Sequence, residues 1–313
     1  MRVLICVSGN APSFKFEYNQ VFVYEQIESV RKLDLDVEYQ VFTIVGKGIK
    51  GYLTSFKGLR RAIKDYKPDI IHAHCGQVGA IAVLQRSVPV ITTFHGSDVN
   101  NPRIKPISTF ASLLSTCSFF VSNRLKNELK IRGKDCMVVP CGVDHDIFCP
   151  MDQDECKKRL GLNPTRKYIL FASDFSNSIK NPTLAKAVSV HFPQVDLLEI
   201  KGRTRNEVAW LINGAELVLM TSHSEGSPQI IKEAVACGQR IVTVDVGDVR
   251  EQLDGIPGCW ICPHDETRLV EAVRCVLESE RIPYDASDRF NSAIIAQTIL
   301  NKYKLIQKND GKL

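Results

Sequence analysis

The sequence predicts an α/β protein of two domains, each a parallel sheet flanked by helices in the Rossmann manner. Short apolar runs alternate with amphipathic segments along residues 1–140, the alternation restarts at residue 167, and a turn-rich stretch separates the two series. At 313 residues with 44% hydrophobic content, the chain is long enough for two ordinary domains, each burying its own core, and that composition argues against disorder.

In the first series, Arg2–Ser8 reads as a buried parallel strand, and Gly9-Asn10-Ala11-Pro12 as the loop leading to a helix over Val21–Lys32. Val37–Val45 follows as a strand, Leu53–Tyr66 as an amphipathic helix rich in Lys and Arg, Asp69–His74 as a strand, Gly79–Gln85 as a helix and Val88–Phe94 as a strand. Phe119–Ser122 and Met137–Pro140 are further strands around a helix over Arg124–Arg132. Pro140–Pro150, dense in turn residues, is the junction, so the domains are expected at 1–145 and 146–290. The second series runs Lys167–Ser173 (strand), Pro182–His191 (helix), Asp196–Ile200 (strand) and Arg205–Ile212 (helix). The central stretch Leu217–Asp248 then supplies a strand, a sharp loop, a helix that Gly238 stops, and a second strand. A last helix begins at Asn291.

Charge is uneven: residues 1–145 carry 19 Lys+Arg against 12 Asp+Glu, and the remainder 21 against 23. A basic first half suggests an anionic partner, and the exposed helix cations Lys57, Arg60, Arg61, Lys64, Lys67, Arg124, Lys126, Lys130, Arg132 and Lys134 suit an anionic membrane surface. Nothing indicates nucleic acid. Eleven cysteines lie scattered without framework spacing, which suits buried thiols in a reducing compartment. Met1–Gly9 is too short and too soon interrupted for a signal peptide or spanning helix, so a cytoplasmic protein, peripheral at most to the inner face of a membrane, is expected.

Chemistry concentrates where strands end. Ser227 is a suitable N-cap and Pro228 a suitable first helical residue, so the first-turn N–H groups near Gln229, Ile230 and Ile231 face the loop holding Glu225 and Gly226 and offer an anion seat. Glu225 and Glu233 flank that seat about 10 Å apart along the helix axis, a spacing suited to one extended ligand. Thr92–Asp98 ends another strand with His95 and Asp98, and Gly9 ends the first. His72 and His74, inside a strand, read as packing residues. Gly46–Gly51 is a literal G-x-G-x-x-G that would favour an NAD(P) oxidoreductase. However, it follows the second strand, and no acidic residue ends a strand about 20 positions on, so a mobile glycine loop is the expectation. Asp34/Asp36, Asp144/Asp146 and Asp152/Asp154 repeat a D-x-D spacing in turn-like or helix-start surroundings, and Cys259/Cys262 lack a partner pair, so neither pattern argues for a metal.

These residues resemble the retaining glycosyltransferases of family 4, also called group 1. Glu225 and Glu233 match the family's Glu-x7-Glu signature, Asp69–His74 with Thr93–Asp98 resembles its N-terminal domain, and Gly142-Val143-Asp144 with Phe148-Cys149-Pro150 its linker. The resemblance implies the GT-B fold: two Rossmann-like domains facing across a cleft, the first on the acceptor side and the second on the donor side, with a helix over about 291–313 crossing back to the first. It implies a nucleoside-diphosphate sugar donor, a glycan or lipid-linked acceptor, bacterial surface polysaccharide as the setting, and neither cofactor nor metal. Glu225 would contact donor sugar hydroxyls, the backbone about Gly226, Ser227, Gln229 and Ile230 the diphosphate, Glu233 the ribose, and Lys180 the phosphate, while His95 would lie beside the sugar with Gly9 and Asp98 near the substrate. Two departures stand out. Asp174 occupies the place of a common Arg, leaving Lys201, Arg203 or Arg205 to supply the charge, and Ser227-Pro228 replaces the usual Phe-Gly. An epimerase or a non-catalytic sugar-nucleotide binder would share these features.

Overall fold

The computed structural model describes residues 1–10, 13–46, 48–131 and 133–310. Ala11 and Pro12 of the first expected loop, Lys47 of the glycine run, Arg132 and the last three residues of the expected C-terminal segment lie outside these. Two compact units are present: Met1–Gly142 together with the residues from Ser292 onward, and Val143–Asn291.

The first unit holds strands β1 (Arg2–Ser8), β2 (Glu38–Ile44), β3 (Ile70–His74), β4 (Val90–Phe94), β5 (Cys117–Phe120) and β6 (Cys136–Val138), all parallel, in the order β2-β1-β3-β4-β5-β6. Every residue of β3 and β4 is buried, which is why these strands read as continuous runs: helices cover both faces of a parallel sheet. The helix Ser292–Asp310 packs against the helix Val21–Leu33, and its Ala296, Ile299, Leu300 and Tyr303 join Val3, Ile5 and Ile27 in one core. Full burial of a side chain such as Ile299 contributes about 1.5–3 kcal/mol, so this terminal helix is an integral part of the first unit.

The second unit holds β7 (Lys167–Phe171), β8 (Val195–Leu198), β9 (Leu217–Met220), β10 (Ile241–Val244) and β11 (Cys259–Cys262), parallel, in the order β11-β10-β9-β7-β8. The chain runs outward from β7 to β8 and then returns to the other side of β7 as β9. The loops leaving β7 and β9 therefore diverge at a topological switch point, where open α/β sheets seat ligands.

One expectation is corrected and two helices are added. The glycine run is no free loop, because the helix starts at Gly48 rather than Leu53 and ends at Tyr66. Gly46 and Gly51 are in backbone contact, so close that a Cβ on Gly51 would lie 2.4 Å from the Gly46 carbonyl carbon. The glycines are needed for that contact, and the run follows the edge strand β2. A helix over Lys105–Leu114 went unread because its Ser and Thr residues are weak helix formers; packing against the helix Gly76–Ala82 overrides that preference. The helix Gln153–Arg159 is capped by Asp152, whose carboxylate accepts the Glu155 N–H at 2.8 Å, which accounts for one D-x-D aspartate. Asp34 and Asp144 likewise accept the N–H two residues on.

Candidate active site

In the second unit, the loops leaving β7 and β9 meet through Lys180 and Glu225, Nζ to Oε1 at 2.6 Å, with side chains 26% and 11% exposed. Local chemistry builds this pair. Ser178–Lys180 is a single 3₁₀ turn, and Asn181 follows in the left-handed region (φ 54°), which Asn tolerates better than most residues. The Asn181 side chain caps the helix Pro182–Val190. From the other loop, the Thr221 hydroxyl donates to the carbonyls of Lys180 and Asn181 at 3.1 and 2.8 Å, and the His223 N–H to the Ile179 carbonyl at 2.9 Å. The lysine is thereby held over the end of β9.

The helix after β9 spans Gln229–Ala236, and its N-cap is Pro228 (φ −66°, ψ 117°), not Ser227. Ser227 cannot cap because its hydroxyl donates to the buried Asp248 carboxylate at 2.8 Å and accepts from Gln252 Nε2 at 3.1 Å. The Cys-x-x-Cys likewise has a local place, on β11. Burial is the main cause raising the Asp248 carboxyl above its ordinary value, with the fully buried Lys232 opposing it. Gly247, at φ 60°, lies so near this turn that a Cβ would come 2.9 Å from the Gly226 carbonyl. Ile230 is buried in the core, so only its backbone can serve a ligand.

Glu233 is buried, 3% exposed, and pairs with Arg205 Nη2 at 2.8 Å. The Arg205 guanidinium in turn lies over the Phe148 ring, 4.6 Å from its centroid. Of the three cations expected to stand in for an Arg at 174, Arg205 is the one brought to a site carboxylate. Arg203 pairs with Glu207, and Lys201 lies 3.5 Å from Asp174 itself. Asp174 also accepts the Ser176 N–H at 2.6 Å, and its hydrogen bonds with Ser176 hold its carboxyl below the usual range.

In the first unit, Gly9 closes β1 by donating its N–H to the Ile44 carbonyl at 2.8 Å. Beyond β4, His95 Nε2 lies 3.1 Å from His74 Nδ1, and its ring is 4.7 Å from that of Phe22. His74 stacks in turn on His72 at 4.4 Å. His72 is fully tied up, its ring nitrogens 2.5 Å from the Tyr303 hydroxyl and 2.6 Å from the Thr93 hydroxyl. Burial lowers its pKa to about 3 and that of His74 well below the ordinary value, so both are neutral packing residues. The expectation for Asp98 is corrected: its carboxylate is 1% exposed and spent on the N–H groups of Gly76 (2.9 Å), His95 (3.2 Å) and Gly96 (2.8 Å). It shapes the loop that carries His95. Burial is the first cause raising its pKa, against the pull of those N–H groups.

Residues 3–147 match the family described as Glycosyltransferase Family 4, and residues 177–279 that described as Glycosyl transferases group 1. The chain belongs to the family 4, or group 1, glycosyltransferases. It is a transferase enzyme by that membership. The relative TuaC of Bacillus subtilis (strain 168), whose name places it in teichuronic acid biosynthesis, is 27% identical over 90% of this chain and 86% of its own. Among solved structures, a glycosyltransferase of Rickettsia africae superposes with a TM-score of 0.75 at 16% identity, covering 98% of this chain and 99% of that one. Anabaena HepE in complex with UDP and glucose gives 0.68 at 17%, covering 100% and 98%. The fold of this glycosyltransferase is therefore GT-B. It is a fold shared with other chemistry, since the UDP-GlcNAc 2-epimerase of Methanocaldococcus jannaschii superposes with a TM-score of 0.64 at 13% identity, covering 97% and 100%.

Sequence reasoning had no means of foreseeing the Arg205–Glu233 pair, which spans 28 positions, or the Asp248 anchor of Ser227. One signal was available for Lys180: Asn181-Pro182, a cap followed by a first-turn proline.

Proposed function

We propose that this enzyme is a retaining glycosyltransferase that moves a sugar from a nucleoside-diphosphate sugar to a glycan or lipid-linked acceptor in bacterial surface polysaccharide synthesis. The observation that carries the reading is the Lys180–Glu225 pair at the switch point of the second sheet, beside the start of the helix Gln229–Ala236. A diphosphate would draw Lys180 away from Glu225 and leave that carboxylate for sugar hydroxyls. The N–H groups of Gln229 and Ile230 would take phosphate oxygens, and Glu233 the ribose diol. As the glycosidic bond breaks, negative charge grows on the diphosphate, where Lys180 stabilises it. His95 would orient the sugar, on a loop fixed by Asp98. The neighbour bound to UDP and glucose supports a sugar nucleotide as donor, and TuaC supports the biosynthetic setting.

Calorimetric titration with UDP-, GDP- and ADP-sugars and with NAD(P), followed by NMR of the slowly hydrolysed donor, tests this. One sugar nucleotide should bind best and release its sugar with the anomeric configuration kept. Tighter binding of NAD(P), or turnover to an epimerised sugar nucleotide, would overturn the reading. A peripheral membrane location is part of the same proposal. No helix among the described residues is long and apolar enough to cross a membrane, while Lys57, Arg60, Arg61 and Lys64 line the exposed face of the helix Gly48–Tyr66. Salt-sensitive sedimentation with anionic vesicles is the expected result, and none at low salt would remove it.

A further inference from the structure

We propose that Arg205 is the positioning residue through which the enzyme recognises the ribose of its donor, by holding the Glu233 carboxylate in one orientation. The inference rests on Glu233 being the ribose contact in the reading above. A carboxylate on a buried helix face needs a cation or several hydrogen bonds to remain charged there. Glu233 is 3% exposed, and Arg205 Nη2 stands 2.8 Å from its Oε1. The arginine is itself fixed at both ends. Its backbone opens the helix Arg205–Gly214, whose capping box joins Thr204 and Glu207. Its guanidinium lies 4.6 Å from the centroid of Phe148, a fully buried ring. A guanidinium lying over an immobile ring has reduced rotational freedom, and its Nη2 meets Glu233 Oε1 as an ion contact, not a hydrogen bond, so the charge of the arginine restrains the carboxylate.

A vicinal diol is bound well by a carboxylate only when that carboxylate is charged, unable to rotate and aimed at the two hydroxyls. A swivelling Glu233 would still accommodate the nucleotide but would no longer tell a ribose from a deoxyribose. Arg205 therefore sets a selectivity rather than the rate of the chemical step. Lysine could supply the charge at this position but not the stacked plane.

The test is calorimetric, using UDP, GDP and ADP and then the 2′,3′-dideoxy form of whichever binds tightest. Wild type should prefer the ribose form by roughly tenfold to a hundredfold, the range expected for hydrogen bonds to a charged group. Glu233→Gln should remove most of that preference. Arg205→Met should remove as much while the thermal midpoint stays close to that of wild type, and Arg205→Lys should retain only part. If Arg205→Met unfolds the protein, Phe148→Leu loosens the guanidinium without altering either charge and should reduce the preference several-fold. Loss of preference in Glu233→Gln but not in folded Arg205→Met, Arg205→Lys or Phe148→Leu would show Arg205 to be structural only and overturn the inference. Full preference in Glu233→Gln would instead remove Glu233 as the ribose contact, and the inference would fall with it.

Discussion

The loops after β4 and β9 occupy the same place in their respective sheets, at the C-terminal end of a fully buried parallel strand, yet they are held in opposite ways. In the first unit one buried carboxylate, Asp98, gathers three backbone N–H groups, and the side chain presented, His95, leans on the neutral stack of His74 and His72. In the second unit the side chains presented are themselves ions, Glu225 against Lys180 and Glu233 against Arg205. The difference separates orientation from charge. A neutral, stapled loop can hold a polar group still without attracting a diphosphate, whereas a loop of opposed ions can exchange an internal partner for a charged ligand.

The comparison breaks first at Lys180. If the second unit supplies the electrostatics of bond cleavage, Lys180→Ala lowers kcat by roughly 10²–10³ with the best donor, because a preorganised cation is lost as the diphosphate gains charge. Steady-state turnover over a donor series measures it, and near-normal kcat would leave the ion pair without a role in chemistry.

Next in size is a pH effect confined to the neutral stack. His72 is held at about 3 in the fold against an ordinary 6.5, and His74 is also lowered, so the unfolded chain binds protons that the folded chain refuses. The stability that His72 contributes is complete above about pH 6.5 and falls on acidification down to about pH 3, by about 1.4 kcal/mol per pH unit, and that of His74 falls in the same direction. Between about pH 7.5 and about pH 5 His72 should remove about 2 kcal/mol. Thermal melts at both pH values should show a smaller drop for His72→Gln than for wild type, and equal drops would mean that His72 is not kept neutral.

Glu233→Ala comes third, raising the donor KM about tenfold while kcat falls less, since a ribose contact is made equally in the ground and transition states. A fall confined to kcat would move Glu233 from binding to chemistry.

Which of these features could be read from the sequence follows from how each is built. Local signals were legible: the alternation of strands and helices, Gly238 as a stop, Asn181-Pro182 as a helix start, and both glutamates of the central stretch. Features made by residues distant in sequence were hidden. Ser227 has every property of a cap, and only the approach of Asp248, 21 positions on, diverts its hydroxyl. Asp98 next to His95 reads as a second polar site residue, and only its burial against the N-terminus of the helix Gly76–Ala82 shows that its lone pairs are spent. Gly46–Gly51 misled for a different reason, because a glycine needed for close packing and one needed for flexibility are the same letter.

The smallest effect expected concerns Asp174, the residue whose sign is wrong for a phosphate site. Read alone it should repel a donor, and neutralising it should then help. In the structure its carboxylate is turned to the Ser176 N–H at 2.6 Å and lies 3.5 Å from the ammonium of Lys201, whose side chain is 57% exposed. A charge so partnered and so near water is screened from a ligand and transmits little field. Asp174→Asn should therefore change kcat/KM for the best donor by no more than about threefold in either direction, with Lys201→Ala equally mild. A gain of tenfold or more in the asparagine variant would show that Asp174 faces the diphosphate after all, and the charged loop of the second unit would then contain one ion set against its own ligand.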